Sequence, residues 1–209
     1  MNNNFPDNKI KIGILGGTFN PIHLGHLILA QNAAEYCDLD KVLIIPSGVS
    51  YFKNQAEIVS KKDRINMVNL SIEDNPLFEI STLETEKEGN SYTYETILEL
   101  QNNHINCEFF YIIGADTLYS IDSWKNPEII FDNTTLICSV RDGNSIEDLE
   151  NQKSFLINKY NAKIILMDTP EVQISSTSIR RLLKENKSCK YYLHDKCIQY
   201  IKENKLYME

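Results

Sequence analysis

The sequence predicts an α/β protein built on a doubly wound parallel sheet. Short β-rich runs alternate with segments of helical periodicity along the whole chain, which is the pattern of repeated βαβ units. The first of these runs is followed by two glycines and then by a helical pattern, as in sheets that bind a ligand at this edge. At 209 residues the chain has the length of one domain with a sizeable core, and we assign residues 1–209 to a single domain.

The expected strands are short and rich in β-branched side chains: Ile10–Leu15, Lys41–Pro46, Phe78–Thr82, Glu108–Ile113, Thr135–Val140 and Ala162–Met167. The expected helices carry apolar side chains at spacings of three and four: Leu24–Cys37, Lys61–Glu73, Tyr94–Asn103, Ser145–Tyr160, Ser176–Glu185 and Asp195–Glu203. Ligands of such a sheet lie at the carboxyl ends of its strands. The least regular segment, Ser47–Ser60, is expected to be a substrate loop.

The composition excludes several classes of protein. Apolar residues make up 42% and charged residues 24% of the chain, which is ordinary for a soluble globular protein. A net charge of −8 argues against nucleic acid or an anionic membrane as a partner, so any anion site must be local. No apolar run is long enough to span a membrane and no signal peptide is recognisable, which predicts a cytoplasmic location. Five cysteines without a Cys-x-x-Cys pair indicate reduced thiols.

Residues 13–26 carry the strongest functional signal and read Gly-Ile-Leu-Gly-Gly-Thr-Phe-Asn-Pro-Ile-His-Leu-Gly-His. We interpret them as a strand, a glycine turn and the start of a helix. Gly16 and Gly17 would let the backbone approach an anion, which the helix dipole would also attract. His23 and His26, three residues apart, could both donate to phosphate oxygens. The alternative is a tight turn with two surface histidines, whereas a Rossmann dinucleotide motif and a P-loop are both excluded.

The second signal is the segment 170–181, Pro-Glu-Val-Gln-Ile-Ser-Ser-Thr-Ser-Ile-Arg-Arg, which follows the last expected strand. Ser175, Ser176 and Thr177 are residues that favour the N-terminus of a helix. Their hydroxyls, the first backbone N–H groups of the helix and the guanidinium of Arg180 could hold a polyphosphate. A well-capped helix without a ligand is the alternative.

These two segments resemble motifs of the HxGH nucleotidylyltransferases. The form Gly-Gly-Thr-Phe-Asn-Pro-Ile-His-Leu-Gly-His is similar to that of the bacterial nicotinate mononucleotide adenylyltransferases, and Ile-Ser-Ser-Thr-x-Ile-Arg matches a second motif of the same family. Ser91-Tyr92-Thr93, Gly114-Ala-Asp116, Trp124 and Arg141 also match in order, so the resemblance runs from about residue 10 to residue 207. It implies a Rossmann-like nucleotidylyltransferase fold.

The resemblance also implies a role for each matching residue. The catalytic residues would be His23 and His26, and Trp124 would stack on the pyridine ring. Residues expected to bind ATP are Gly16, Gly17, Thr18, Phe19, His23, Gly25, His26, Gly114, Asp116, Ser176, Thr177 and Arg180. Residues expected to bind nicotinate mononucleotide are Lys53, Tyr92, Thr93, Trp124 and Arg141.

Simpler interpretations stay open for several of these residues. Trp124 could be a core side chain, and Asp116 and Thr93 could merely cap helices. Lys53 matches a family lysine, but the Pro-Pro-His that precedes it in the family is absent here, so Lys53 could be an ordinary surface lysine.

The implied reaction joins the AMP moiety of ATP to nicotinate mononucleotide, giving nicotinate adenine dinucleotide and pyrophosphate in NAD biosynthesis. The resemblance and the chemistry of polyphosphates imply Mg²⁺ as the cofactor, held mainly by ATP phosphates. The sequence shows no metal-ligand cluster, and none of its residues is assigned to a metal. Two alternatives stay open: a sister enzyme that uses nicotinamide mononucleotide or phosphopantetheine, and a catalytically silent nucleotide-binding module. The sequence specifies neither the oligomeric state nor the strength of the preference for nicotinate. A homo-oligomer is therefore a further alternative.

Overall fold

The computed structural model describes residues 9–48, 58–140, 145–170 and 172–208. Its strands form one sheet in the order β3-β2-β1-β4-β5-β6, and every neighbouring pair is parallel. The strands are β1 (Ile10–Gly17), β2 (Lys41–Pro46), β3 (Phe78–Ile80), β4 (Cys107–Gly114), β5 (Thr135–Val140) and β6 (Lys163–Asp168). The predicted doubly wound parallel sheet is confirmed.

The described helices connect these strands and follow β6. They are α1 (Leu24–Cys37), α2 (Lys61–Ile72), α3 (Leu83–Glu86), α4 (Thr93–Asn103), α5 (Ala115–Ser120), α6 (Pro127–Asn133), α7 (Ile146–Tyr160), α8 (Ser176–Lys184) and α9 (Asp195–Glu203). A 3₁₀ turn, Ile121–Ser123, follows α5. In the described part of the chain, no helix combines the length and apolarity that crossing a membrane requires.

The sequence predicts the long elements to within two residues of their bounds, but it misses the short ones. Helices α3, α5 and α6 have four, six and seven residues, too few for a helical period to stand out. The predicted third strand is also too long, because it stops at Ile80 and Thr82 becomes the N-cap of α3. The predicted glycine turn is wrong as well: Gly16 and Gly17 belong to β1, which remains paired with β2 as far as Gly17 and Pro46.

Two hydrophobic cores lie on opposite faces of the sheet. Successive strand residues alternate between them: Val42 and Ile44 face one core, and Leu43 and Ile45 face the other. The first core is completed by α1, α2, α8 and α9, and the second by α4, α5, α6 and α7. Because both faces are covered, the strands are almost continuously apolar, which explains why their positions are readable in the sequence.

The direction of winding reverses between β1 and β4. From β1 the chain proceeds outward to β2 and β3 on one side, and from β4 to β5 and β6 on the other. β1 pairs directly with β4 through Ile14 and Tyr111, so the two strands end side by side at Gly17 and Gly114. In sheets of this kind, ligands bind in the crevice outside the carboxyl ends of the strands at the reversal.

Candidate active site

The turn that connects β1 to α1, residues 18–22, lies at this reversal. Its backbone enters the left-handed region at Phe19, where φ is 48°, and continues through a cis peptide bond between Asn20 and Pro21. Phe19 is buried, and the edge of its ring meets the His26 ring with centroids 5.1 Å apart. The turn predicted at Gly16 and Gly17 therefore begins two residues later in the chain, and the residue with left-handed backbone is Phe19.

Side chains from distant parts of the chain hold this turn. Its carbonyl oxygens accept hydrogen bonds from α2 and α8: Thr18 from Arg64 at 2.9 Å, Asn20 from Arg180 at 3.0 Å, and Pro21 from Ser176 at 2.8 Å. The side-chain oxygen of Asn20 accepts a further hydrogen bond, 2.8 Å long, from the hydroxyl of Tyr207 near the C-terminus. The two motifs of the sequence thus meet, because Ser176 and Pro21 are 155 positions apart.

The two histidines lie against each other at the start of α1. His23 is the N-cap residue rather than part of the helix, and its ring stacks on that of His26 with centroids 3.6 Å apart and planes 20° apart. The backbone N–H of His23 donates to Nδ1 of His26 at 3.2 Å. Since Nδ1 accepts a hydrogen bond, the neutral His26 ring carries its proton on Nε2. His26 therefore offers an Nε2–H donor.

Gly25 makes room for this stack. A Cβ atom on Gly25 would lie 3.1 Å from Nδ1 and 3.3 Å from Cε1 of His23. These distances are tighter than ordinary van der Waals contacts, so any side chain here would push the His23 ring away from its neighbour. The glycine between the two histidines thus permits their ring contact.

The start of α8 is capped and docked on the turn. Ser175 and Ser178 cap the helix reciprocally: each side-chain oxygen accepts from the other residue's backbone N–H, at 3.1 and 3.3 Å. The N-cap predicted at Ser175 is confirmed. Arg180 also donates to the hydroxyl of Thr177 at 3.4 Å, so its guanidinium lies along the first turn of α8. The positive end of this helix dipole consequently faces the same loop as the histidine pair.

Two of the residues predicted for nicotinate mononucleotide, Thr93 and Trp124, lie against Tyr111 of β4. The hydroxyl of Thr93, the first residue of α4, interacts with that of Tyr111. The half-buried Trp124 meets the Tyr111 ring edge to face, with centroids 6.3 Å apart. A Cβ atom on Gly16 would lie 3.3 Å from the Tyr111 hydroxyl, which places this phenol beside the end of β1. One buried tyrosine therefore joins both predicted halves of the site, and burial raises the pKa of Tyr111, which keeps it neutral.

The remaining predicted residues lie either at the starts of α4 and α5 or outside the described part of the chain. Gly114 is the N-cap of α5 and Asp116 is exposed in its first turn, so Asp116 does not cap that helix. Tyr92 is the N-cap of α4, so Thr93 is not a cap either. Lys53 and Arg141 lie outside the described residues. Among residues that are described, no group of three or more His, Cys, Asp or Glu side chains could hold a metal ion.

Sequence reasoning missed three residues of the site. Tyr111 is hidden in an apolar strand, and only its polar hydroxyl could have distinguished it. Arg64 shares the buried face of α2 with Met67 and Val68, and a charged residue in that apolar pattern is a readable signal. Lys125 follows Trp124, and its ammonium lies 4.0 Å from the centroid of the Tyr92 ring. It adds a positive charge beside the predicted nicotinate side.

Comparisons with known proteins agree on the family to which this chain belongs. The profile of the cytidylyltransferase-like family matches residues 14–182. A probable nicotinate-nucleotide adenylyltransferase of Lachnoclostridium phytofermentans is 37% identical over 95% of this chain and 99% of its own. One of Caldicellulosiruptor saccharolyticus is 40% identical over 96% and 100%. A solved Plasmodium falciparum nicotinic acid mononucleotide adenylyltransferase, complexed with NaAD, superposes with a TM-score of 0.77 at 22% identity, covering 94% of this chain and 97% of its own.

The fold and the paired histidines at the start of α1 define a nucleotidylyltransferase, and the chain belongs to the cytidylyltransferase-like family, among the bacterial nicotinate-nucleotide adenylyltransferases. The likeness to the Plasmodium enzyme shows the shared fold.

The hydrogen bond between the two histidines predicts a definite tautomer. In ¹⁵N-resolved imidazole spectra, neutral His26 should show an unprotonated Nδ1 and a protonated Nε2, because Nδ1 accepts from the His23 backbone. The exposed His104 provides an internal reference ring. A proton on Nδ1 of His26 would contradict the geometry described here.

Proposed function

We infer that this chain joins the AMP moiety of ATP to nicotinate mononucleotide, giving nicotinate adenine dinucleotide and pyrophosphate in NAD biosynthesis. The observation that carries the inference is the meeting of the stacked pair His23 and His26 with the start of α8, across the turn after β1. The similarity to nicotinate-nucleotide adenylyltransferases over nearly the whole chain supports it.

The reaction needs no base from the protein. A phosphate monoester has a second pKa near ~6, so the acceptor phosphate is largely a dianion at neutral pH and can itself attack. One of its oxygens forms a bond to the α-phosphorus of ATP, and the bond from that phosphorus to the bridging oxygen of the β-phosphate breaks. Both electrons of the broken bond leave with pyrophosphate. The protein must therefore bring two anions together and stabilise the charge that moves onto the leaving group.

We assign that stabilisation to the donors around the turn. His26, through Nε2–H, and His23 act on the transferring phosphate, and Arg180 acts with the α8 start at Ser176 and Thr177. Two of these groups also hold the turn, since Ser176 donates to Pro21 and Arg180 to Asn20. Their position is thus set before ATP arrives. The remaining residues proposed to contact ATP are Gly16, Gly17, Thr18, Phe19, Gly25, Gly114 and Asp116.

We assign the pyridine side to the cluster around Tyr111. Trp124 offers an aromatic face for the ring, and Tyr92 and Thr93 at the start of α4 contribute polar groups. Lys53 and Arg141 stay predictions for the same substrate.

We propose that Mg²⁺ enters the site bound to ATP and is not held by a set of protein ligands. The ion would be bound by phosphate oxygens and water. When bound, such an ion neutralises part of the triphosphate charge. The cytoplasmic location and the single domain over residues 1–209 belong to the same proposal, and a homo-oligomer stays open.

A pyrophosphate-release assay with ATP and a panel of phosphate monoesters tests this function. We expect release with nicotinate mononucleotide to exceed that with nicotinamide mononucleotide and phosphopantetheine. Preference for either of the other acceptors would assign the chain to a sister activity, and no release with any of them would favour the silent nucleotide-binding module.

Two variants of His26 separate catalysis from capping. His26→Ala removes the imidazole and its hydrogen bond to His23, whereas His26→Gln can restore that bond, because glutamine at this position completes a capping box. We expect both to lose about 10²-fold in kcat, by analogy with the deletion of an oxyanion-hole donor. Only the alanine variant should lower the melting temperature. A glutamine variant within threefold of the wild-type kcat would refute the catalytic assignment.

Trp124 distinguishes stacking from core packing. Trp124→Ala should weaken nicotinate mononucleotide binding and Trp124→Phe should restore part of it, since an aromatic platform contributes about 0.5–1.5 kcal/mol beyond burial. The Kd of ATP should change little. Calorimetric binding of each substrate, with melting temperatures for all variants, provides the measurement.

If Trp124 is a core residue instead, its truncation costs roughly 3–5 kcal/mol of stability. A large fall in melting temperature with equal losses for both substrates would therefore rule out stacking.

A further inference from the structure

Arg64 is a buried charge whose partners lie at the edge of the proposed site. Its side chain is 2% exposed and shares the buried face of α2 with Met67 and Val68. Burial lowers the pKa of the Arg64 guanidinium, although the group stays charged. A charge is costly to bury unless its donors are used, so the bonds it makes identify what it does.

The guanidinium fills the fork where β1 and β2 diverge. The two strands remain joined up to the hydrogen bond from the N–H of Ser47 to the carbonyl of Gly17, 2.8 Å long. Beyond that bond the chains separate. Nη1 of Arg64 donates to the carbonyl of Thr18 at 2.9 Å and Nη2 to that of Gly48 at 3.3 Å. One planar group therefore bridges the first residue after β1 and the second residue after β2.

Gly48 is also held from the opposite side. Its N–H donates to the carboxylate of Glu84, which accepts a second bond from Thr96 at 2.9 Å. A Cβ atom on Gly48 would lie 2.3 Å from the carbonyl oxygen of Glu84 and 2.4 Å from Oγ of Ser91. Both polar backbone groups of Gly48 are thus bound by the side chains of Arg64 and Glu84, and no space exists for it to carry a side chain.

These contacts connect the two halves of the proposed site. Thr18 belongs to the turn that carries the ATP side, and Gly48 lies against Ser91, which directly precedes Tyr92 and Thr93 of the proposed nicotinate side. The distance between two bound reactants strongly affects their reaction rate, and a misplacement of about 1 Å can cost about 10²-fold. We propose that Arg64 is a positioning residue that fixes the ATP-side turn relative to the acceptor-side chain. This inference rests on the proposed function.

The test uses the variants Arg64→Lys and Arg64→Met in the full chain. Lysine keeps the charge but lacks the planar pair of donors, and methionine keeps much of the volume without charge. We expect kcat for pyrophosphate release to fall at least tenfold in both. The Kd of ATP alone and of nicotinate mononucleotide alone should change less than threefold, since each substrate keeps its own contacts. Arg181→Met, at an exposed arginine of α8, is the matched control and should keep the wild-type kcat.

Chemical rescue separates positioning from a general loss of structure. In Arg64→Ala, millimolar guanidinium should raise kcat severalfold by refilling the fork, whereas methylammonium should not. Unchanged kcat in a folded Arg64→Lys protein would overturn the inference. So would a loss of kcat matched by equal losses in binding each substrate and not rescued by guanidinium. The wild-type rate separates the two claims: an inactive wild type contradicts the proposed function, whereas an active wild type with unaffected Arg64 variants overturns only the role of Arg64.

Discussion

The backbone carbonyls of the turn between β1 and α1 depend on side chains from elsewhere in the chain. A buried carbonyl without a donor is costly, and residues 18–21 form neither helix nor sheet that could supply one. Arg64, Ser176 and Arg180 provide the donors. The turn therefore keeps its shape only when α2 and α8 are both docked, so the site is assembled by the completed fold.

The same turn sets the position of the histidine pair. It leads directly into His23, the N-cap of α1, and the ring of Phe19 packs edge to face with that of His26. Such an arrangement suits electrostatic catalysis, in which donors are most effective when they need no rearrangement during the reaction. It also places local donors for anions in a chain whose net charge is −8. Overall charge thus says little about a site that binds phosphates.

Much of the fold could be predicted because both faces of the sheet are covered. Strands buried on both sides are apolar throughout, and helices α8 and α9 show clear amphipathic patterns. Short helices such as α5 could not be predicted, since their positions depend on the chain leaving β4 at Gly114. For the site, the motifs identified the start of α1 and the start of α8 because their residue types are specific to helix termini. Their direct contact could not be read from the sequence, because Ser176 and Pro21 are 155 positions apart and meet only once the intervening strands have formed the sheet.

The glycine turn shows why a correct motif can still be misinterpreted locally. Two glycines before a helix suggest an open loop, but Gly17 remains paired in the sheet and the left-handed backbone falls on Phe19. Tertiary contacts of the buried Phe19 ring outweigh its conformational preference. Arg64 and Tyr111 are single polar residues in apolar patterns, and such a residue does not indicate what it binds.

The proposed site can be tested by solving the structure of the protein with bound nicotinate adenine dinucleotide. We expect the phosphates of the dinucleotide within hydrogen-bond distance of Nε2 of His26 and beside the turn formed by residues 18–22, with the pyridine ring against Trp124. A dinucleotide bound elsewhere, for example in the cavity between α8 and α9 lined by Leu183, Cys189 and Ile198, with the histidine pair untouched, would contradict the proposed site.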